Sequence, residues 1–344
     1  MKKVGRRLSS RLFWVIYLFL LHFTCVSFLD VQVLQAADTA TKEYKKEHKV
    51  KYKKVKSKQI TYSSHKKRIG KHAAPETLGM VRGKNLPPIW PESFINGPNG
   101  NFYICDTVNQ RIQIYSPEGN FSDQISLPEG SSPNDIVVDD LNNIYVYDGV
   151  QKKLYHVDNT KEVVKTINIK KKLWRCRSTM HLVNNNIYIT NCDQEDILIG
   201  EIVNGHLKSP SGNSKPEKGI HSSSGKRYFV KLYRWKKGVI HIIDESGVVK
   251  YIDFPMHGIV SIKFLREDKE ENIYIRTERA TKEKLLLEVH KFDSDGNYLA
   301  TALIPENDYM VLSAKLLSIS ESGDIWQLLP SLESANLNIF KLYE

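Results

Sequence analysis

Short runs of alternating hydrophobic and polar residues recur from residue 91 to the C-terminus. Each run has the length of an ordinary β-strand, and turns rich in Gly or Asn separate one run from the next. We find no long stretch in this region with apolar residues at helical spacing. The pattern therefore predicts antiparallel, all-β structure.

The strand pattern is itself repeated. Segments 91–121 and 133–163 align, and in each a turn leads into an aromatic–aliphatic strand that ends in aspartate, at Asp106 and Asp148. Weaker copies follow to the C-terminus, where the last unit has only three strands. Four strands per unit and a period of about 42–52 residues are typical of propeller blades. We count six units and predict a six-bladed β-propeller.

The incomplete last unit needs a fourth strand from elsewhere in the chain. Residues 76–85 precede the first unit and have no partner within it. We predict that the propeller spans residues 76–344 and that 76–85 closes the ring by pairing with the C-terminal strand, because closure removes exposed strand edges.

The first unit contains a recognisable motif. The stretch 100–121 resembles the NHL repeat, in which Gly, Tyr, Asp, Asn and Arg recur at fixed spacing, and Asp106, Asn109 and Arg111 match that pattern. The resemblance implies that these three residues knit adjacent strands of a blade. The second unit keeps Asp148, and the later units lose the triad.

The N-terminal residues 1–37 have the order of an export signal. A basic start is followed by an apolar run from Leu12 to Leu29 and then by small residues. This predicts a secretory signal peptide, with an uncleaved membrane anchor as the alternative, because 18 apolar residues can just span a bilayer. Either alternative places the body outside the cytoplasm, in the periplasm or the extracellular space.

The net charge of +11 is unevenly distributed. Residues 38–75 contain thirteen Lys and Arg against three acidic residues, whereas residues 76–344 contain 32 against 35. Nucleic-acid recognition needs basic residues on the folded surface, so we expect no nucleic-acid partner. Residues 38–75 have few large aliphatic residues and are predicted to be a disordered basic linker. This linker is either a solvated spacer or a tether to an anionic membrane or envelope surface.

Candidate binding residues lie in segments that join blades, at the mouth of the central channel. They are Asn134, Asp135, Arg175, His221 and His257. The stretch around His257 resembles the Pro-His-Gly stretch of peptidyl-amidoglycolate lyase propellers, and Asn134 resembles an Asn position of gluconolactonase-like propellers. A catalytic zinc needs about three protein ligands, and we find two histidines. We therefore expect no metal or other cofactor, with zinc or calcium as the alternative.

The cysteines suggest one covalent link. Cys176 and Cys192 flank a predicted hairpin and could form a disulfide in an oxidising compartment. The pairing depends on the strand register, because a slip of one residue puts the two side chains on opposite faces. Cys105 lies inside an apolar strand and is expected to be a buried small hydrophobe.

These features together favour a non-enzymatic binding or scaffold propeller at the cell envelope. No nucleophile or metal motif appears in the body, so we assign no catalytic residue. We expect a monomer that binds an unknown protein or envelope ligand. The alternative is a metal-dependent enzyme, lyase-like or lactonase-like, with its site at the channel mouth.

Overall fold

The computed structural model describes residues 51–63, 74–81, 88–169, 178–211, 215–233, 237–254, 258–281, 284–305 and 315–343. The predicted signal or anchor segment, residues 1–37, lies outside these ranges. Within them the only helical element is a 3-10 turn at Thr107–Asn109, and all other regular elements are strands. None of these residues forms a helix with the length and hydropathy of a membrane span.

Two strands precede the first blade, and three antiparallel sheets follow them. The strands are β1 (Lys51–Ser63) and β2 (Leu78–Gly79); in blade 1, β3 (Phe94–Asn96), β4 (Phe102–Asp106), β5 (Arg111–Tyr115) and β6 (Phe121–Ser126); in blade 2, β7 (Pro133–Val138), β8 (Ile144–Asp148), β9 (Lys153–Val157) and β10 (Val163–Asn168); in blade 3, β11 (Thr179–Val183), β12 (Asn186–Thr190), β13 (Glu195–Val203), β14 (His206–Lys208) and β15 (Glu217–Lys218).

The second half of the ring is built in the same way. Its strands are, in blade 4, β16 (Ile220–His221), β17 (Arg227–Tyr233), β18 (Lys237–Asp244) and β19 (Gly247–Phe254); in blade 5, β20 (Ile259–Glu267), β21 (Ile273–Ala280), β22 (Leu285–Phe292) and β23 (Tyr298–Ile304); in blade 6, β24 (Leu317–Ile319), β25 (Ile325–Pro330) and β26 (Ser334–Tyr343), completed by β1.

The blades form a closed ring. Contacts between neighbouring blades run in chain order and return from blade 6 to blade 1 through β24 and β3. The first strand of each blade is the innermost, so these strands surround the central channel. The chain is an all-β, six-bladed propeller, and the fold predicted from the repeat is confirmed.

The ring closes in a different place from the one that we predicted. Strand β26 pairs antiparallel with β1, from Lys51 opposite Tyr343 to Thr61 opposite Ser334. The described part of this range, residues 76–81, contributes the short β2, which pairs in parallel with the end of β1. The closing strand therefore comes from the predicted linker, and both the start of the propeller at residue 76 and the disorder of residues 51–63 were wrong.

The physical reason is that an outer strand needs only one buried face. Tyr52 and Ile60 supply that face, with 8% and 3% of their surfaces exposed, while backbone pairing with β26 satisfies the main chain. A bulge between Lys54 and Lys56 breaks the alternation and turns Val55 outwards, which hid the strand in the sequence. The lysines lie along the outer edge of the sheet, where charge discourages edge-to-edge pairing with other chains.

The NHL-like triad fastens the N-terminal segment to blade 1. Asp106 accepts hydrogen bonds from Arg111 Nε and Asn109 Nδ2, both at 2.8 Å, so it joins β4 to β5. Its other oxygen accepts the backbone N–H of Gly79 at 2.8 Å, and Arg111 Nη2 donates to the carbonyl of Thr77 at 2.5 Å. The triad thus links two strands of one blade and also holds the segment that leads from β1.

Asp148 occupies the corresponding place in blade 2 with different partners. Its carboxylate accepts backbone N–H groups from Ser132, Val150 and Gln151 at 2.7–3.0 Å. It therefore orders the turn between β8 and β9 and the connection from blade 1, and no arginine among the described residues pairs with it.

Buried apolar clusters lie between blades and hold the ring together. Among the described residues, such clusters fill the interfaces between blades 1 and 2, 2 and 3, 4 and 5, 5 and 6, and 6 and 1. Their members come from the alternating positions that the strand pattern identified, because successive side chains of a strand point to opposite faces of the sheet and so toward different neighbouring blades. No cluster of this kind lies between the described residues of blades 3 and 4.

Candidate functional site

Asp135 joins the inner strands of three blades. It lies on β7 of blade 2 and is fully buried. One oxygen accepts Ser93 Oγ of blade 1 at 2.5 Å and the N–H of Ile136 at 2.7 Å, and the other accepts the N–H of Met180 in blade 3 at 2.5 Å. Such a carboxylate stiffens the wall of the channel and has little remaining capacity for a ligand.

Lys315 crosses the channel at the same level. It lies two residues before β24 of blade 6, where its N–H donates to the carbonyl of Glu92 at 3.1 Å. Its ammonium is 3.6 Å from Asp135 Oδ1 and donates to the carbonyl of Met180 in blade 3 at 3.3 Å. Blades 3 and 6 are opposite each other in a ring of six, so this side chain spans the channel and its charge is balanced by Asp135.

Lys263 is a second channel cation, and it has no such partner. It lies on the innermost strand of blade 5, and its ammonium makes no hydrogen bond or ion pair with the described residues. Burial, followed by the charge of Arg276, lowers the pKa of Lys263 to about 8, although Asp135 acts in the opposite direction. Because Asp135 belongs to blade 2, which is opposite blade 5, the ammonium faces the channel.

Arg266 extends this cationic wall along β20. Its Nη1 donates to the carbonyl of Ile319 in blade 6 at 3.1 Å. Arg266 keeps an exposed surface, and partial desolvation of its guanidinium lowers its pKa, while Glu321, Asp268 and the distant Asp140 of blade 2 act in the opposite direction. The blade 5 side of the channel thus presents two cations, which suits an anionic ligand.

Of the predicted channel residues, Asn134 and Asp135 lie at this site. Asn134 accepts the N–H of Gly149 at 2.7 Å and donates to Glu92 at 3.3 Å, so it braces the wall next to Asp135. Arg175 and His257 lie outside the described residues, and their predicted places stay predictions.

His221 lies on the inner strand of blade 4, but its contacts are with blade 3. Its Nδ1 and the Nε2 of His181 are both 2.9 Å from the same oxygen of Asp196, and its backbone N–H donates to that oxygen at 2.7 Å. The ring of Tyr188 lies between the two imidazoles, stacked on both, with centroid distances of 5.5 and 4.4 Å. His221 therefore belongs to a bridge between two blades.

The electrostatics of that bridge differ from those of a metal site. Burial alone would raise the pKa of Asp196, but the charge of His181 and hydrogen bonds from both histidines hold it well below its ordinary value. Among the described residues no group of three or more His, Cys, Asp or Glu side chains is arranged to hold a metal ion. The bridge is a carboxylate that organises two half-buried imidazoles.

The cysteines differ in state. Cys105 is free and fully buried, and burial raises the pKa of its thiol well above the usual range. Cys192 is disulfide-bonded. Its predicted partner, Cys176, lies outside the described residues, so that pairing stays a prediction.

Sequence reasoning missed Lys263, Lys315 and His181. Lys263 stands between two large apolar residues, Ile262 and Phe264, within a predicted strand. A lysine with such neighbours was a sequence signal that could have been used. Lys315 follows a long connection, so nothing local indicates that it reaches across the ring.

Comparison with known proteins assigns neither a family nor a function to this chain. No protein-family model matches the chain, and no curated protein matches it. Among solved structures it is similar to a streptogramin B lyase, with 12% identity, a TM-score of 0.42, and coverage of 84% of this chain and 98% of that one. A virginiamycin B lyase from Staphylococcus aureus gives 12% identity, a TM-score of 0.44, and coverage of 84% and 99%.

A member of the DUF4221 family from Bacteroides vulgatus is also similar. It gives 11% identity and a TM-score of 0.48, with coverage of 86% of this chain and 99% of that one.

Proposed function

We propose that this protein is an exported, NHL-like binding propeller whose central channel holds a small anionic ligand. The observation that carries the proposal is Lys263, a channel-facing ammonium with no hydrogen bond or ion pair among the described residues. An enclosed cation without a counter-ion is unfavourable unless a ligand supplies the charge. Lys315, by contrast, is already balanced by Asp135.

The rest of the proposal depends on the sequence patterns. Export is supported by the order of basic, apolar and small residues in 1–37. NHL-like character is supported by the contacts of Asp106, Asn109 and Arg111 within blade 1. The lysines of β1 are displayed on the outer edge of blade 6 and could hold the protein near an anionic envelope surface.

The channel proposal is tested with simple anions. Sulfate, phosphate and succinate are titrated into the full chain at low ionic strength and pH 7, with binding followed by calorimetry. We expect at least one of these anions to bind the wild type saturably and the Lys263→Gln variant at least fivefold more weakly. Lys165→Gln, which removes an exposed cation from the outer strand of blade 2, serves as the matched control and should leave the affinity within twofold.

Two results would reject anion binding in the channel. One is the absence of saturable binding for all three anions; the other is equal loss of affinity in the two variants, which would indicate non-specific attraction to positive charge. The enzymatic alternative has its own test, metal analysis of the purified protein, for which we expect no stoichiometric zinc or calcium.

A further inference from the structure

The interface between blades 3 and 4 is built differently from the other five. Those five are filled by buried apolar clusters among the described residues. Here the inner end holds the stacked rings of His181, Tyr188 and His221 around Asp196. Each of these rings is only partly buried. The inner end of this interface is therefore formed by partly exposed polar rings and not by a buried apolar cluster.

The blade 4 side of this interface is an aromatic ladder. Phe229, His241 and Tyr251 are direct neighbours across β17, β18 and β19. Phe229 stacks on His241 with 4.0 Å between ring centroids, and Tyr251 meets His241 edge-on at 4.9 Å. Tyr251 is 62% exposed, and Tyr233, on the same face of β17, is 41% exposed. Two phenol rings are thus available to solvent on one sheet face.

Two lysines accompany the rings without a carboxylate partner among the described residues. Lys231 lies over the ring of Tyr233 at 4.8 Å, and Lys218 lies over the ring of Phe229 at 5.3 Å. The acidic groups nearby have other partners: Glu217 pairs with Arg227 at 3.2 Å. Asp253 pairs with Lys237 at 2.6 Å. Glu201 faces the same interface from blade 3 and forms no ion pair with the described residues, and Lys208 lies directly across from it on β14. With Lys208 counted beside Lys218 and Lys231, the net charge next to the exposed rings is positive.

The spacing of these groups suits an extended ligand. Tyr251 on β19 and Lys231 on β17 are two strands apart on one face, which corresponds to roughly 10 Å. A single small ring could not cover both tyrosines and both lysines. A chain of linked rings with regularly spaced negative charges could stack on the phenols while its acidic groups reach the ammonium groups.

We propose that the open face between blades 3 and 4, formed by Lys218, Phe229, Lys231, Tyr233, His241 and Tyr251, binds an acidic polysaccharide. The apolar C–H face of a sugar ring packs on Tyr251, and carboxylates of the saccharide pair with Lys231 and Lys218. The chain's own N-terminal part is a poor occupant, because residues 1–50 carry nine Lys and Arg against four acidic residues. This site is separate from the channel and does not depend on Lys263.

The probe is tetragalacturonate, a uronic-acid oligosaccharide, titrated into the full chain by calorimetry. Maltotetraose supplies rings without charge, and tetraglutamate supplies charge without rings. We expect tetragalacturonate to bind at least fivefold more tightly than either. Tyr251→Ala removes the ring on which the sugar stacks and should weaken tetragalacturonate binding at least fivefold. Lys231→Gln removes one ion pair with the saccharide and should weaken binding at least threefold.

Matched controls keep the test specific. Val164→Ala removes another exposed apolar side chain from an outer strand, Lys165→Gln removes another exposed lysine from the same strand, and both should leave the affinity within twofold. Equal binding of tetraglutamate, no saturable binding of tetragalacturonate, or an unchanged affinity in Tyr251→Ala would overturn the proposal. Loss of binding in Lys263→Gln, with Tyr251→Ala unaffected, would assign the saccharide to the channel and also reject this site.

Discussion

Replacement of Lys263 by methionine should stabilise the folded protein at neutral pH. Methionine keeps most of the length of the lysine stem and removes its charge. The pKa of Lys263 falls from its ordinary 10.5 to about 8 in the folded state, first because of burial and then because of Arg276. The folded protein thus holds this proton less well than the unfolded chain does.

The size of the effect follows from that pKa. One pKa unit corresponds to about 1.4 kcal/mol, so the protonated Lys263 costs the folded state about 3 kcal/mol. The cost is present in full below pH 8, where the lysine is protonated in both states. It decreases as the pH rises from 8 towards 10.5, because the folded protein then releases the proton while the unfolded chain keeps it, and stability rises.

Urea unfolding, followed by tyrosine and tryptophan fluorescence, measures this difference. The wild type, Lys263→Met and the exposed control Lys54→Met are compared at pH 7 and pH 10. We expect Lys263→Met to be more stable by about 2–3 kcal/mol at pH 7, with a clearly smaller advantage at pH 10 and no advantage for the control. A variant that is less stable than the wild type at pH 7, or an advantage that does not depend on pH, would refute this reasoning.

Three further predictions test the architecture. Removal of residues 1–63 should cost several kcal/mol more than removal of residues 1–50, because it also deletes β1, and backbone hydrogen bonds contribute about 0.5–1.5 kcal/mol each; equal melting temperatures would contradict closure by β1. Asp106→Asn should destabilise the fold by about 3–5 kcal/mol, because it removes the buried carboxylate that pairs with the guanidinium of Arg111; thermal unfolding measures this, and a neutral result would reject the role of the triad. Asp196→Asn should lower the free energy of unfolding by about 2–4 kcal/mol at pH 7. The folded pKa of Asp196 is depressed, so that penalty should decrease below about pH 4. Urea unfolding at pH 7 and pH 3 measures the penalty at both values, and equal penalties would contradict this prediction.

The fold was predictable because the repeat records it locally. Each blade carries its own alternation, turn residues and, in blades 1 and 2, its own aspartate at the same place. The closing strand was not predictable in this way. Its Lys-rich sequence looks like a solvated segment, and only the partner strand β26 shows that Tyr52 and Ile60 share a buried face. A strand stabilised by distant residues leaves a weak local signal.

The candidate site was predictable in part. Asp135 and Asn134 were expected at the channel because they lie in the segment that joins the two clearest repeats. Lys315 and Lys263 come from degenerate units, and their importance depends on which blades are opposite each other, a property of the closed ring. His221 was recognised as a histidine near the channel, but its bond to Asp196 depends on the packing of blade 3 against blade 4.

The central claim is that an anion binds next to Lys263, and the most direct test is proton uptake. At pH 8 about half of the Lys263 side chains are neutral, and a bound anion should raise the pKa and draw protons from solution. Calorimetric titration in two buffers of different ionisation enthalpy measures that uptake, because the buffer supplies the protons. The ligand is the tightest-binding anion that is fully ionised at this pH. We predict about half a proton taken up per anion bound by the wild type and none by Lys263→Gln. Saturable binding without proton uptake, or the same uptake in the variant, would contradict the account.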